Sequence, residues 1–272
     1  MKAAPALSPE LGAALRRLRL GRIADVLPER ALLAHKQGLS FEETLLGLLT
    51  DEIARRQDAQ ATTRAEQAGL DPDMTFERFD KASKVTYDRR LLAELSSLRF
   101  VDAGRHALLM GPVGTGKTFV ATALGHLACR HGYGVHFTRA DRMLHTLRKS
   151  RFDNSRDAVM RSLCSVDLLV VDDFALEPLD RDESRDVYQL FVERTGRASM
   201  IVTSNRDTSE WLAMFDDPLL GQSAVDRFKN GAYDLVLEGE SYRPHRKPSV
   251  HENDPPPSAP VGKRPGARRR RR

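Results

Sequence analysis

The stretch Gly111-Pro112-Val113-Gly114-Thr115-Gly116-Lys117-Thr118 has the Walker A spacing, Gly-x4-Gly-Lys-Thr. Glycines let backbone N–H groups close on phosphate oxygens, and a helix starting there adds its positive N-terminal end. In that role Lys117 reaches the β- and γ-phosphates of ATP, and the Thr118 hydroxyl ligates Mg2+. The nucleotide contacts are assigned to Gly111 through Thr118 together with Phe119. A glycine-rich turn that only resembles the motif is the plain alternative. Against it, the apolar HALLM precedes the loop and the helix-compatible FVATALGHLACR follows it, which is the context the motif requires.

Two further stretches supply acid and amide groups. Leu168-Leu169-Val170-Val171-Asp172-Asp173 is an apolar run ending in two carboxylates, the form of a Walker B strand. Asp172 is assigned to Mg2+ and Asp173 to polarising the attacking water. Taken alone, the pair also fits an ordinary turn after a strand. Met200-Ile201-Val202-Thr203 ends in Ser204-Asn205-Arg206. The Asn205 amide at that tip is placed to hold the nucleophilic water, or else merely caps the turn.

These groups need a scaffold that brings strand tips together. Short apolar runs at His106–Met110, Gly134–Phe137, Leu168–Val171, Met200–Val202 and Leu235–Leu237 read as five strands. Helix-compatible stretches at Lys117–His131, Asp141–Lys149 and Glu183–Arg194 lie between them. Such alternation predicts a parallel sheet covered on both faces, an α/β fold. Residues 1–75 read instead as a small helical domain, with Leu11, Leu15 and Leu18 at helical spacing. Ser40-Phe41-Glu42-Glu43 marks a helix start by a capping box. That helix continues into DEIARRQDAQATTRAEQAG, polar on most sides, which reads as a solvated arm or a partner surface. TFERFD links it to an ATPase domain over 76–242. Residues 243–272, rich in proline and charge, cannot bury enough apolar area to order themselves, so they read as a disordered basic tail.

The set GPVGTGKT, LLVVDDF and IVTSNRD resembles the AAA+ ATPases, in particular the branch of the DnaC helicase loader and the IstB-like helper ATPases. TFERFD, LGHLACRHGYGVHFTRADRML, LEPLDRDESRDVYQLFVER and SAVDRFKNGAYDLVLEGESYR extend the likeness to IstB-like proteins over nearly the whole folded part. The resemblance implies a P-loop AAA+ fold with a central five-stranded sheet. It further implies an ATP- and Mg2+-dependent ATPase that assembles into an oligomer on double-stranded DNA and recruits or stimulates the transposase of its insertion sequence. A DnaC-like helicase loader is the alternative. By the same likeness Arg227 sits where the family carries an arginine finger for the neighbouring subunit. An Asp226–Arg227 surface pair is the rival reading. Arg243 would act as a second sensor. Val113 replaces the family's usual proline and Asp173 its frequent glutamate. No C-terminal helical lid is evident after the last strand.

Duplex DNA needs basic surface. FTRADRMLHTLRKSR puts Arg139, Arg142, Arg148, Lys149 and Arg151 away from a buried Met143, Leu144 and Leu147 face. In the DnaC-like branch DNA passes near this segment, whereas a solvated basic helix face is the plain alternative. The tail carries ten Lys/Arg against two acids, +8 of the formal +5 total, so the preceding 242 residues carry −3. Five arginines fully engaged with phosphates would give a log–log salt slope of about −4.5. Cys129 and Cys164 lack metal-ligand spacing and read as reduced packing residues. No apolar run approaches the ~20 residues of a membrane span, and the N-terminus does not read as a signal peptide, so the expectation is cytoplasmic with no membrane partner.

Overall fold

A computed structural model describes residues 7–79, 85–239 and 241. Arg243 and the basic tail lie outside the described residues. Helices α1 (Pro9–Arg17), α2 (Gly21–Gln37) and α3 (Phe41–Gln67) form the N-terminal part. The Ser40 capping box is present: Ser40 Oγ accepts from the Glu43 N–H at 3.2 Å, and the Glu43 carboxylate accepts from the Ser40 N–H at 2.7 Å.

The polar half of α3 is neither a free arm nor wholly a partner surface. Ala61, Ala65, Ala68 and Leu70 are buried, and Arg64 donates to the Cys129 carbonyl at 3.3 Å. Alanines at helical spacing make a shallow stripe that admits a neighbouring helix closely. Leu70 also lies against Gly125, where an added Cβ would fall 3.0 Å from its Cδ2.

The remaining elements are β1 (Val85–Thr86), α4 (Arg89–Ser96), α5 (Arg99–Asp102), β2 (His106–Met110), α6 (Lys117–Arg130), β3 (Val135–Arg139), α7 (Ala140–Ser150) and α8 (Arg156–Ser165). They continue as β4 (Leu168–Phe174), α9 (Arg181–Arg194), β5 (Ser199–Ser204), α10 (Thr208–Trp211), α11 (Pro218–Lys229), β6 (Ala232–Val236) and β7 (Glu238–Gly239). Five strands form one parallel sheet in the order β3-β4-β5-β2-β6. Leu108, Leu169, Val170 and Ile201 are wholly buried, as a sheet covered on both faces requires. Helix α6 and the end of α3 cover one face; α7, α8, α9 and α11 cover the other.

The five expected strands are present; β2 keeps its expected bounds and the other four have shifted ends. The helices α8 and α11 have no counterpart in the apolar pattern. Local chemistry starts α11 instead: the Asp217 carboxylate caps it by accepting from the Leu219 N–H at 2.9 Å, and Pro218 occupies its first turn. Within TFERFD, Phe76–Arg78 forms a 3-10 turn, tied down where Glu77 accepts from Arg130 at 2.6 Å. A two-residue antiparallel pair joins β1 to β7.

Candidate nucleotide-binding site

The loop after β2 opens at the carboxyl ends of the parallel strands, where ligands bind in open α/β sheets. Gly111 has φ 146° and Gly114 φ 88°, a region that favours glycine. Space demands glycine too. A Cβ at Gly111 would lie 2.0 Å from the Leu237 carbonyl oxygen, and one at Gly114 would lie 2.0 Å from Ser241 Oγ. The segment after β6 therefore presses on the loop from outside. Thr115 Oγ1 donates to the Pro112 carbonyl at 2.9 Å and holds the curve. Lys117 is buried, with Nζ donating to the Gly111 and Pro112 carbonyls at 2.7 and 2.8 Å. Its ammonium thus sits inside the cradle that the sequence assigns to phosphates. Val113 of the same loop is exposed.

Beyond the lysine, α6 sets Thr118 against the tip of β4. Thr118 Oγ1 donates to Asp172 Oδ1 at 2.9 Å, and Thr203 Oγ1 donates to the same oxygen at 2.6 Å. Asp172 is 4% exposed, and burial pushes its carboxyl above the usual range, opposed by the Thr203 and Thr118 hydroxyls. A hydroxyl and a carboxylate in contact are the hard oxygen donors Mg2+ takes, completed by water and substrate phosphates. The residues present fit that ion. When bound, it would neutralise charge on the β- and γ-phosphates.

Asp173 stands apart from its neighbour. The β4–β5 register shifts between Val171 and Phe174, and Asp173 has φ 55°. Such a bulge re-aims a side chain at strand tips. Its N–H donates to Thr203 Oγ1 at 2.9 Å, while its carboxylate stays about a third exposed, 3.8 Å from Arg139. Asn205 follows β5 directly and is half-buried. It is not the cap of the next helix, since Asp207 fills that place, accepting from the Ser209 N–H at 2.9 Å. Strand β5 lies between β4 and β2, so Lys117, Thr118, Asp172, Asp173 and Asn205 all gather at one end of the sheet.

Arg227 is not at that end. Helix α11 feeds the start of β6, and Ala232 pairs with His106 at the start of β2. The five residues of β2 then separate that edge from the phosphate loop by about 16 Å. The expected rival partner, Asp226, instead accepts from Asn230 Nδ2 at 3.1 Å. The exposed Arg227 guanidinium lies over the Tyr188 ring of α9, 6.0 Å from its centroid.

The basic residues of α7 differ from expectation in what they face. Arg148 pairs with Glu183, and Arg151 with Asp186 at 2.8 Å. Asp186 is 2% exposed and also holds Arg156 at 2.5 Å. These arginines clamp α7 and α8 to α9 rather than standing free, because carboxylates that deep need charged partners. Arg139 lies 3.3 Å from Asp141. Arg142 and Lys149 are exposed, and among the described residues no acid lies within ion-pair distance of either. Sequence reasoning did not single out Thr203, Tyr188 or the aromatic group beside the loop. In that group Phe79 packs 5.5 Å from Phe119 and 6.1 Å from Tyr87. Only the position of Phe119, directly after the motif, pointed that way.

A five-stranded parallel sheet with this order, a phosphate loop after β2 and an acid-tipped β4 one strand beyond β5 defines a P-loop AAA+ protein. The likeness extends to solved structures. The AMPPCP-bound DnaA of Aquifex aeolicus matches with TM-score 0.50 and 25% identity, over 61% of this chain and half of that one. A DnaC helicase loader matches with TM-score 0.51, over 61% and 97% of the two chains; at 17% identity that likeness shows the fold alone. Within this class, the profile of the IstB-like ATP binding protein family matches residues 13–249, and the chain belongs to that family. An insertion-sequence ATP-binding protein of Mycobacterium tuberculosis is 37% identical over 242 residues, 88% of this chain and 96% of the relative. The IS21 ATP-binding protein of Pseudomonas aeruginosa is 32% identical over 234 residues, 86% and 88% of the two chains. Among the described residues, no helix is long and apolar enough to cross a membrane.

Proposed function

We propose that this chain is the ATP-hydrolysing helper of an insertion sequence, assembling on duplex DNA in its ATP state and recruiting the element's transposase. The observation that carries the reading is the separation of Arg227 from its own phosphate loop. An exposed arginine at the far end of the sheet can serve a nucleotide only in another copy. A fixed, always-charged guanidinium suits that task, neutralising charge on the transferred phosphoryl group.

In one protomer Lys117 draws the β- and γ-phosphates into the loop. Thr118 and Asp172 hold Mg2+, Asp173 polarises the attacking water and Asn205 orients it. The neighbour's Arg227 completes the site, so ATP bridges copies and hydrolysis loosens them. Arg142 and Lys149 supply phosphate contacts, with Arg139 beside them. The direct test is sedimentation of the full chain with duplex DNA, in ATP with Mg2+ and without nucleotide. ATP-dependent growth of the DNA-bound complex is expected. A chain that stays the same size whatever nucleotide is present overturns the proposal.

A further inference from the structure

Phe152 is the most exposed large hydrophobic residue among the described residues, at 87%. It stands in the turn between α7 and α8, and the apolar side chains of those helices do not surround it. Met143, Leu144 and Leu147 of α7 and Met160 and Leu163 of α8 are all buried. A phenyl ring contributes to stability by leaving water, and this one stays in it.

The turn that carries the ring is held firmly. Arg151 and Arg156 grip the two oxygens of the buried Asp186, at 2.8 and 2.5 Å, one from each side of the turn. The Ser155 N–H donates to the Ser150 carbonyl at 2.9 Å, and its hydroxyl donates to the Asp153 carboxylate at 2.5 Å. The Phe152 N–H donates to the Lys149 carbonyl at 3.1 Å, so α7 ends in a tightened turn of the 3-10 kind. Side chains three residues apart eclipse in such a turn, which sets Phe152 directly beyond Lys149. Lys149 in turn follows Arg142 by seven residues, on the same face of α7 and about 10.5 Å along its axis. Two exposed cations and one exposed ring therefore form a single stripe.

That composition selects the occupant. A stable protein interface buries about 800 Å2 on each side around an apolar centre, and one isolated ring between cations supplies no such centre. Duplex DNA offers both things the stripe lacks: phosphates for Arg142 and Lys149, and a stack of flat apolar faces that a single ring can enter. Phenylalanine is among the side chains that wedge between base steps in this way.

We infer that Phe152 inserts at a base step of the bound duplex while Lys149 and Arg142 hold the phosphates beside it. The inference rests on α7 being the DNA contact of the proposed function, and it adds a contact to the bases themselves.

The test measures duplex affinity of the full chain in ATP and Mg2+ over a series of salt concentrations. Phe152→Ala should raise the dissociation constant about tenfold at every salt concentration and leave the log–log slope unchanged, because stacking releases no counterions. Phe152→Trp should keep the affinity. It also places an exposed indole beside the single natural tryptophan, the buried Trp211, and its emission should be quenched when duplex is added. Unaltered affinity of Phe152→Ala, a changed slope, or unquenched emission of Phe152→Trp overturns the inference. So does a loss of ATP-dependent assembly by Phe152→Ala without DNA, which would put the ring between two copies. Failure of the inference alone leaves the Arg142→Ala, Lys149→Ala pair with a lowered salt slope. If that slope too is unchanged, α7 is not on the DNA and both readings fail.

Discussion

Thr118 Oγ1 lies 2.9 Å from Asp172 Oδ1, joining the first turn of α6 to the tip of β4 across 54 residues of chain. The two elements are thereby fixed to one point, the point where a cation on the β- and γ-phosphates would sit. Because Asp172 is buried, its carboxylate is held by the two hydroxyls and has little freedom to move away.

Asp172→Asn conserves volume and removes the charge. ATP turnover should fall on the order of 100-fold or more, since metal charge stabilisation supplies several kcal/mol. Phosphate release measured against Mg2+ concentration checks this. Full turnover at ordinary Mg2+ would remove Asp172 from the metal.

Lys117→Ala and Asp173→Asn should separate binding from turnover. The first loses ATP-dependent assembly on DNA. The second assembles but turns over at least about 100-fold more slowly, because a base contributes typically 10²–10⁴. Light scattering with duplex DNA and ATP, run beside a phosphate assay, reads both.

Arg142 and Lys149 differ from Arg148 and Arg151 in a measurable way. The Arg142→Ala, Lys149→Ala pair should lower the slope of log affinity against log salt by about 1.8, two phosphate contacts at ~0.9 each. Arg151→Ala should instead lower thermal stability, leaving the buried Asp186 with Arg156 alone. Equal salt slopes for the unaltered chain and the double variant would take α7 out of the DNA contact.

His106 sets an acid limit on the fold. Its ring is wholly buried, stacked on Phe228 at 5.1 Å, and its Nδ1 accepts from the Met200 N–H at 3.2 Å. Burial, with the Arg194 charge nearby, lowers its pKa from 6.5 to about 4. A lowered histidine pKa means the unfolded chain binds the proton more readily. Stability is therefore lost as pH falls from about 6.5 to about 4, by on the order of 3 kcal/mol. Melting temperature measured over that range should fall for the unaltered chain and fall less for His106→Phe.

The phosphate loop and the strands were legible because their signals are local. Gly111 to Thr118 carries its own geometry, and β2, β4 and β5 are runs of apolar residues that only a sheet covered on both faces accommodates. Features depending on distant neighbours were not. Arg148 and Arg151 read as free cations, since their partners Glu183 and Asp186 lie 35 residues away. The end of α3 read as polar because Ala61 and Ala65 are barely apolar, though small enough to let α6 approach. Thr203 looked like one more strand residue until its hydroxyl was found on Asp172.

The central claim is that one protomer's ATP is completed by the next protomer's Arg227, and mixing two inactive variants tests it most directly. Lys117→Ala keeps its finger and loses its cradle, whereas Arg227→Ala keeps its cradle and loses its finger. Combined at equal concentration with DNA and Mg2+, they should recover about one quarter of the unaltered rate, the share of contacts that join a sound cradle to a sound finger. No recovery at any ratio, or an undiminished rate for Arg227→Ala alone, would contradict it.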